Sequence, residues 1–355
     1  MESLLDKYIL LPQPLALCVG KLSKLVINNL KKKFKSITTE ETSPYVFCAT
    51  YTDFKELNIT TEHCFIFEEV LLDNYSTKKE KGITIVNPHN FSSTESLNQF
   101  TRMYSTHKDA LIETVMSKVK LYEPKKFWSL VEKGINDADI YTYLQKHNKM
   151  ISKESSGYYY AQTILNIIKN LPFKYNVTTY LDFGAGKGAK AYQVMKLLKL
   201  DLRNVYALDL KDFYSVKNSQ PYGFNYIYYD GITLPKIPVK FNLITITHVL
   251  HHITAIHDIL EQLEKIQAKN CLVIIKEHDC FQDDFAPIID IEHAVYELVC
   301  DKSNNNFLHK YWARYFTKNE AIKLFELHGY KSVKLPEEAP YANPSRIFFA
   351  AFYKE

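Results

Sequence analysis

The sequence predicts an α/β protein. Its second half reads as a parallel sheet with crossover helices, and a smaller α/β domain precedes it. Three observations carry this reading. From Val177 onward, short apolar strands alternate regularly with amphipathic helices, the pattern of parallel strands joined by crossovers. One of these strands runs straight into a loop with three glycines. The first 115 residues have a different rhythm of short strand-like runs, and a chain of 355 residues leaves room for about two domains at roughly 150 residues each.

Taken in order, Lys31–Lys33 with Phe34 and Lys35 read as the end of a helix that starts near Gly20. Residues 45–49, 64–67 and 83–86 are short and rich in β-branched or aromatic side chains, as strands are, and Asn87-Pro88 is expected to stop the third. Helices are expected around 96–104 and 109–119. The spacing therefore predicts a small α/β domain over 1–119, a mostly helical connector over 120–150, and a larger domain over 151–355. The larger domain opens with an amphipathic helix from Ser152 to Asn170, with Tyr160, Ile164, Ile167 and Ile168 on one face. Its strands are expected at 179–183, 205–209, 226–229, 241–247 and 271–276.

Composition narrows the function classes. Apolar residues make up 46% and charged residues 24%, ordinary for a globular protein. A net charge of +4 excludes a histone-like tail or an acidic disordered region, though not a local basic patch. No apolar run reaches the roughly 18 residues of a membrane span. The N-terminus, with Glu2, Asp6, Pro12 and Pro14, is a poor signal peptide. The six cysteines show no paired or regular spacing, so free thiols in a reducing, cytoplasmic compartment are expected. Lysine outnumbers arginine 40 to 4, and 26 Tyr and 21 Phe are present; this is read as the mark of an AT-rich genome.

The most informative segment is 179–190, where a short strand enters Gly184, Gly186 and Gly188 and a helix follows. Glycine is needed where a chain turns sharply and where a ligand approaches the backbone. The helix N-terminus then offers unpaired amides. Asp209 ends the next strand about 25 residues on, where a carboxylate can accept both ribose hydroxyls. Gly184, Gly186 and Ala189 also satisfy a nicotinamide fingerprint, but Asp182, two residues before the first glycine, is unusual there. An acid at that position fits a site that must meet a positive group.

With these residues the stretch from about 150 to the C-terminus resembles a class I S-adenosylmethionine-dependent methyltransferase with its Rossmann-like sheet. Asp182, Gly184, Gly186 and Gly188 resemble that family's first motif, and Asp209 its ribose-binding acid. The resemblance implies that Asp230 and Gly231 sit beside the adenine. It also implies a last helix and glycine turn over 315–330 and a C-terminal antiparallel hairpin of 331–335 and 346–353 that closes the sheet. It makes S-adenosyl-L-methionine the expected cofactor, with His248 beside it. The block Lys276–Asp279 and the run Asn343–Arg346 are similar to methyltransferases of large DNA viruses, which would place the protein in a virion or virus factory.

The methyl acceptor is less legible. Glu277 and His278 follow the fifth strand directly, and ionisable residues at the end of a buried strand are costly unless paired or functional. One of them is expected to be an acceptor-side base or an orienting group. His248, His251, His252 and His257 cluster after the fourth strand, but carboxylate or cysteine companions at a metal spacing are missing, so no metal is expected. RNA ribose methylation is disfavoured, because the acid it uses after the fourth strand is absent from Thr245–His248. The Gly186-Lys187-Gly188 variant resembles cap guanine methyltransferases, and Lys31–Lys35, Lys78, Lys79, Lys81, Lys125 and Lys126 could hold phosphates. The expected acceptor is accordingly RNA or an RNA cap. The alternatives are a small molecule or protein side chain, with residues 280–314 as a lid, and a non-catalytic binding module. The N-terminal domain, which carries no reactive constellation, is the expected site for a protein partner.

Overall fold

The computed structural model describes residues 13–19, 34–38, 45–48, 63–66, 75–80, 83–91, 99–135, 137–146, 148–150, 154–210, 222–231, 233–253, 256–280, 285–300, 313–335 and 347–354. The chain forms two compact units. One comprises 1–151 together with 282–313, and the other comprises 152–281 together with 314–355.

In the first unit, strands β1 (Gln13–Val19), β2 (Phe34–Thr38), β3 (Tyr45–Cys48), β4 (His63–Ile66), β5 (Tyr75–Glu80) and β6 (Ile83–Phe91) form a sheet in the order β2-β1-β3-β4-β6-β5. The three expected strands are present as β3, β4 and β6. Two expectations are corrected. Phe34 and Lys35 open a strand rather than close a helix, and residues 20–33 lie outside the described ones. Asn87-Pro88 does not stop β6, which continues to Phe91. The ladder with β5 shifts register between Tyr75, paired with Phe91, and Ser76, paired with Asn87. Proline is tolerated at such an irregularity because no regular ladder bond is demanded there.

Helices α1 (Gln99–Thr106), α2 (Lys108–Lys118), α3 (Pro124–Glu132) and α4 (Asp137–Lys146) follow, and β7 (Val119–Leu121) pairs antiparallel with β8 (Asn148–Met150). Phe100, Phe127 and Tyr141 are buried between these helices and meet edge to face. The returning segment supplies a further helix to this unit, Ala286–Ala294, almost wholly buried and tied to α2 by a 2.7 Å ion pair between Glu292 and Lys118.

The second unit opens with α5 (Glu154–Lys169). Strands β9 (Tyr180–Phe183), β10 (Val205–Asp209), β11 (Asn225–Tyr228), β12 (Phe241–Thr247), β13 (Gln267–His278), β14 (Lys331–Val333) and β15 (Ile347–Tyr353) form one sheet, ordered β11-β10-β9-β12-β13-β15-β14. The first five are parallel, and β15 runs antiparallel to both β13 and β14. This is the α/β sheet with a terminal hairpin that the sequence predicts. The strand order reverses between β9 and β12, at the carboxyl edge where open α/β sheets bind ligands. Helices α6 (Ala189–Leu198), α7 (Ile256–Lys265) and, after the chain returns, α9 (Lys318–Leu327) cover the faces, with α8 being the Ala286–Ala294 helix. Tyr180, Ile164, Leu243, Leu272 and Ala351 are completely or almost completely buried in the core beneath α5 and α6. Among the described residues no helix is long and apolar enough to cross a membrane.

Candidate active site

The loop from β9 to α6 is built from three glycines with left-handed backbone, at φ 74°, 56° and 75°. The amides of Gly184 and Ala185 both donate to the Leu208 carbonyl, at 2.7 and 3.0 Å, which ties the loop to the end of β10. A Cβ on Gly184 would lie 2.0 Å from Val249, and one on Gly188 2.4 Å from Phe224. Gly186 differs: a Cβ there meets nothing within 4 Å. Two glycines therefore allow close packing, and the middle one borders open space. Gly188 also precedes the first turn of α6, whose amides point into the loop.

Asp209 closes the rim. Its Oδ2 accepts the Gly186 amide at 2.7 Å, and a carboxylate retains capacity for further donors after one bond. Tyr226 donates to the Gly186 carbonyl at 3.0 Å. Asp230 is exposed and accepts the Thr233 amide at 2.7 Å, forming a turn around Gly231, which has φ 89°.

Asp182 lies beneath the loop, 2% exposed. The expectation was a carboxylate facing a positive ligand group; here Oδ1 accepts the Thr245 hydroxyl at 2.7 Å, and Tyr180 bonds the same threonine at 2.8 Å. Burial pushes the Asp182 carboxyl up to about 6, against the opposing pull of Thr245 and Lys190. Thr245 and Asp182 are direct partners across the β12–β9 ladder. Sequence reasoning missed Thr245, although a threonine within Leu-Ile-Thr-Ile-Thr is the signal that could have found it. Above it, Thr247 donates to Tyr160 of α5 at 2.8 Å, anchoring that helix to the strand end.

A second cluster of polar side chains lies where β12 and β13 end. Their register pairs Thr247 with Lys276, so the residues that follow, His248 and Glu277–His278, emerge side by side. Glu277 is fully buried. Its Oε1 accepts the Val249 and Leu250 amides at 2.9 and 2.8 Å, and its Oε2 lies 2.5 Å from Nδ1 of His251. Burial raises its pKa, and the backbone donors pull the other way. Both oxygens of Glu277 are thus engaged, and they hold the turn after β12 and the His251 ring. His278 is buried, with its ring 4.6 Å from that of His248 and 5.4 Å from that of His251. His248 has a left-handed backbone at φ 54°, and its amide bonds the Lys276 carbonyl at 2.8 Å. Burial, then the neighbouring His278, holds its pKa well below the usual histidine value. Tyr315 flanks the cluster, its ring 5.7 Å from His251. Lys276 turns away and lies over the Phe349 ring. His257 stands apart from this group, within 2.8 Å of His328.

No family model matches the sequence, and no curated protein matches it. Solved structures to which the chain is similar include an S-adenosylmethionine-dependent methyltransferase from Thermotoga maritima, at 13% identity over 64% of this chain and 100% of that one, with a TM-score of 0.38. The plantazolicin methyltransferase BpumL, solved with a desmethyl plantazolicin analogue and S-adenosylhomocysteine, is 16% identical over 74% of this chain and 99% of its own, with a TM-score of 0.37. The CurJ carbon methyltransferase is 14% identical over 78% of this chain and 76% of its own, with a TM-score of 0.41.

Proposed function

We propose that the chain is an S-adenosylmethionine-dependent methyltransferase whose acceptor is a hydroxyl, thiol or amine of a small molecule or protein side chain. The observation that carries the reading is the cradle at Gly186. A left-handed glycine borders open space between two glycines that are packed shut, with the Asp209 carboxylate on its amide. This fits the cofactor: Gly184–Gly188 would receive its amino-acid end, Asp209 its ribose, and Asp230 with Gly231 its adenine. When bound, it supplies a methyl group activated by a positively charged sulfur. The chain's own contribution is placement, because displacement at such a carbon chiefly requires an aligned nucleophile.

The imidazoles of His248, His251 and His278 at the adjoining edge favour an acceptor with a proton to lose. The RNA expectation rests on lysines that give it little support. Lys31–Lys33 lie outside the described residues, and Lys126 is paired with Glu123 at 3.2 Å.

The test is calorimetry with S-adenosylmethionine and S-adenosylhomocysteine, followed by radiolabelled methyl transfer to metabolite, protein, RNA and DNA pools. Binding of both cofactor forms and label in the metabolite or protein pool is expected. Absence of cofactor binding overturns the whole reading; label confined to RNA overturns the acceptor.

A further inference from the structure

We propose that Tyr226 is a positioning residue for the cofactor. Its hydroxyl locks the peptide between Gly186 and Lys187, and so decides which polar group the glycine loop turns toward the cofactor's amino-acid end. The inference rests on the methyltransferase reading and adds to that site a residue that none of the motifs contains.

The loop closes as a β-turn. The Gly188 amide donates to the Ala185 carbonyl at 3.0 Å, which makes Gly186 and Lys187 the two central residues. Gly186 is left-handed at φ 56°, whereas Lys187 is not left-handed. That combination is a type II′ turn. The closing bond of a β-turn does not involve its central peptide. Half a rotation of that peptide exchanges its carbonyl with its amide and gives a type I′ turn, in which both central residues are left-handed. Gly186 borders open space and has the most permissive of backbones. Rotation is then opposed by a bond from outside the turn and by the cost of a left-handed Lys187.

Two neighbouring strands hold the turn. Asp209 of β10 accepts the Gly186 amide at 2.7 Å and fixes the peptide before this glycine. Tyr226 of β11 donates to the Gly186 carbonyl at 3.0 Å and fixes the peptide after it. The β10–β11 register pairs Tyr226 with Ala207, two residues before Asp209, so both side chains rise from the same face of the sheet. The Tyr226 ring is partly buried and packs, with Ala185 and Tyr192, against the core beneath α5 and α6. A ring held by packing presents its hydroxyl at a fixed place. The peptide is trans and planar, so a carbonyl on Tyr226 aims the Lys187 amide away from β11. After rotation the loop would show a carbonyl on that side. A donor suits the carboxylate of the cofactor's amino-acid end, and a carbonyl oxygen repels it.

The experiment is calorimetry on the full chain with two ligands, S-adenosylhomocysteine and 5′-methylthioadenosine. The second keeps the adenosine and the sulfur but lacks the amino-acid end. Tyr226→Phe preserves the ring and removes only the hydroxyl. It should weaken S-adenosylhomocysteine about 3–10-fold, the range of one hydrogen bond, and 5′-methylthioadenosine less than about twofold. Lys187→Gly makes the left-handed conformation accessible at the second central position. Combined with Tyr226→Phe, it should weaken S-adenosylhomocysteine at least about threefold beyond the product of the two single losses, whereas Lys187→Ala with Tyr226→Phe should not. Near-ultraviolet circular dichroism keeps the comparison among folded proteins. Unchanged S-adenosylhomocysteine affinity in Tyr226→Phe, equal losses for the two ligands, or purely multiplicative losses with Lys187→Gly overturns the lock and leaves the methyltransferase reading standing. An unaltered chain that binds neither ligand overturns both.

Discussion

Gly186 and Gly184 sit two residues apart in one loop and should respond oppositely to substitution. Gly186→Val adds a side chain to open space, so the fold should survive with a penalty of about 1–2 kcal/mol for its left-handed backbone, while S-adenosylhomocysteine binding disappears. Gly184→Ala instead drives a methyl group into Val249 and should chiefly lower stability. Calorimetry beside thermal unfolding separates the two. Asp209→Ala should weaken cofactor binding by about 1–3 kcal/mol, through loss of charge-assisted bonds, in the same calorimetric assay. Asp182 carries a pH signature. Its folded carboxyl sits near 6, above an ordinary value of 3.8, so its contribution to stability is complete below pH ~4 and declines as pH rises through 6. The decline should total about 3 kcal/mol and then level off. Asp182→Asn should remove that decline in urea denaturation at pH 4, 5, 6 and 7; an unchanged slope would show that another group is responsible. The acids Asp182 and Asp209 were legible because one lies near the end of a short strand that runs into glycines and the other closes the next strand. What Asp182 touches was not, since Thr245 is 63 residues away and meets it only through the β12–β9 ladder.

Strand β13 shows why elements are legible in part. Its apolar middle, 271–276, reads as a strand, but the element spans Gln267–His278. The ends are polar, and tertiary pairing with β12 and β15 holds them extended. The same pairing brings His278 to His248, a neighbourhood that no local pattern announces. Helix α9 starts at a reciprocal capping box between Thr317 and Glu320, with bonds of 3.1 and 2.8 Å. Asp279 adds a bond to the Lys318 amide at 2.9 Å. Thr317→Ala should therefore cost about 1 kcal/mol in chemical denaturation, with cofactor affinity unchanged. A loss near zero would mean that Asp279 alone satisfies the helix start.

At the scale of the molecule, the five parallel strands follow from the spacing of apolar runs and the closing hairpin from the family resemblance, and that part of the fold was open to reading. The membership of 282–313 in the first unit was not, because burial of the Ala286–Ala294 helix depends on α1 and α2, more than 160 residues earlier. The chain leaves and re-enters the second unit side by side: Asp279 bridges Phe316, and the Cys280 amide donates to the Phe316 carbonyl at 3.2 Å. A chain of 152–281 joined by a short glycine linker to 314–355 should accordingly fold and bind S-adenosylhomocysteine by calorimetry while losing methyl transfer to its acceptor. Failure of this folded fragment to bind would place part of the cradle's support in the first unit. The same crossing has a consequence for synthesis on the ribosome. The first 151 residues emerge early yet lack their buried helix, which ends at Ala294, until 143 further residues have been translated, a delay of roughly 7–29 seconds at 5–20 residues per second. Throughout that interval the nascent first unit presents an apolar surface meant for its own later segment, which makes it a natural client for chaperones that hold unfinished chains.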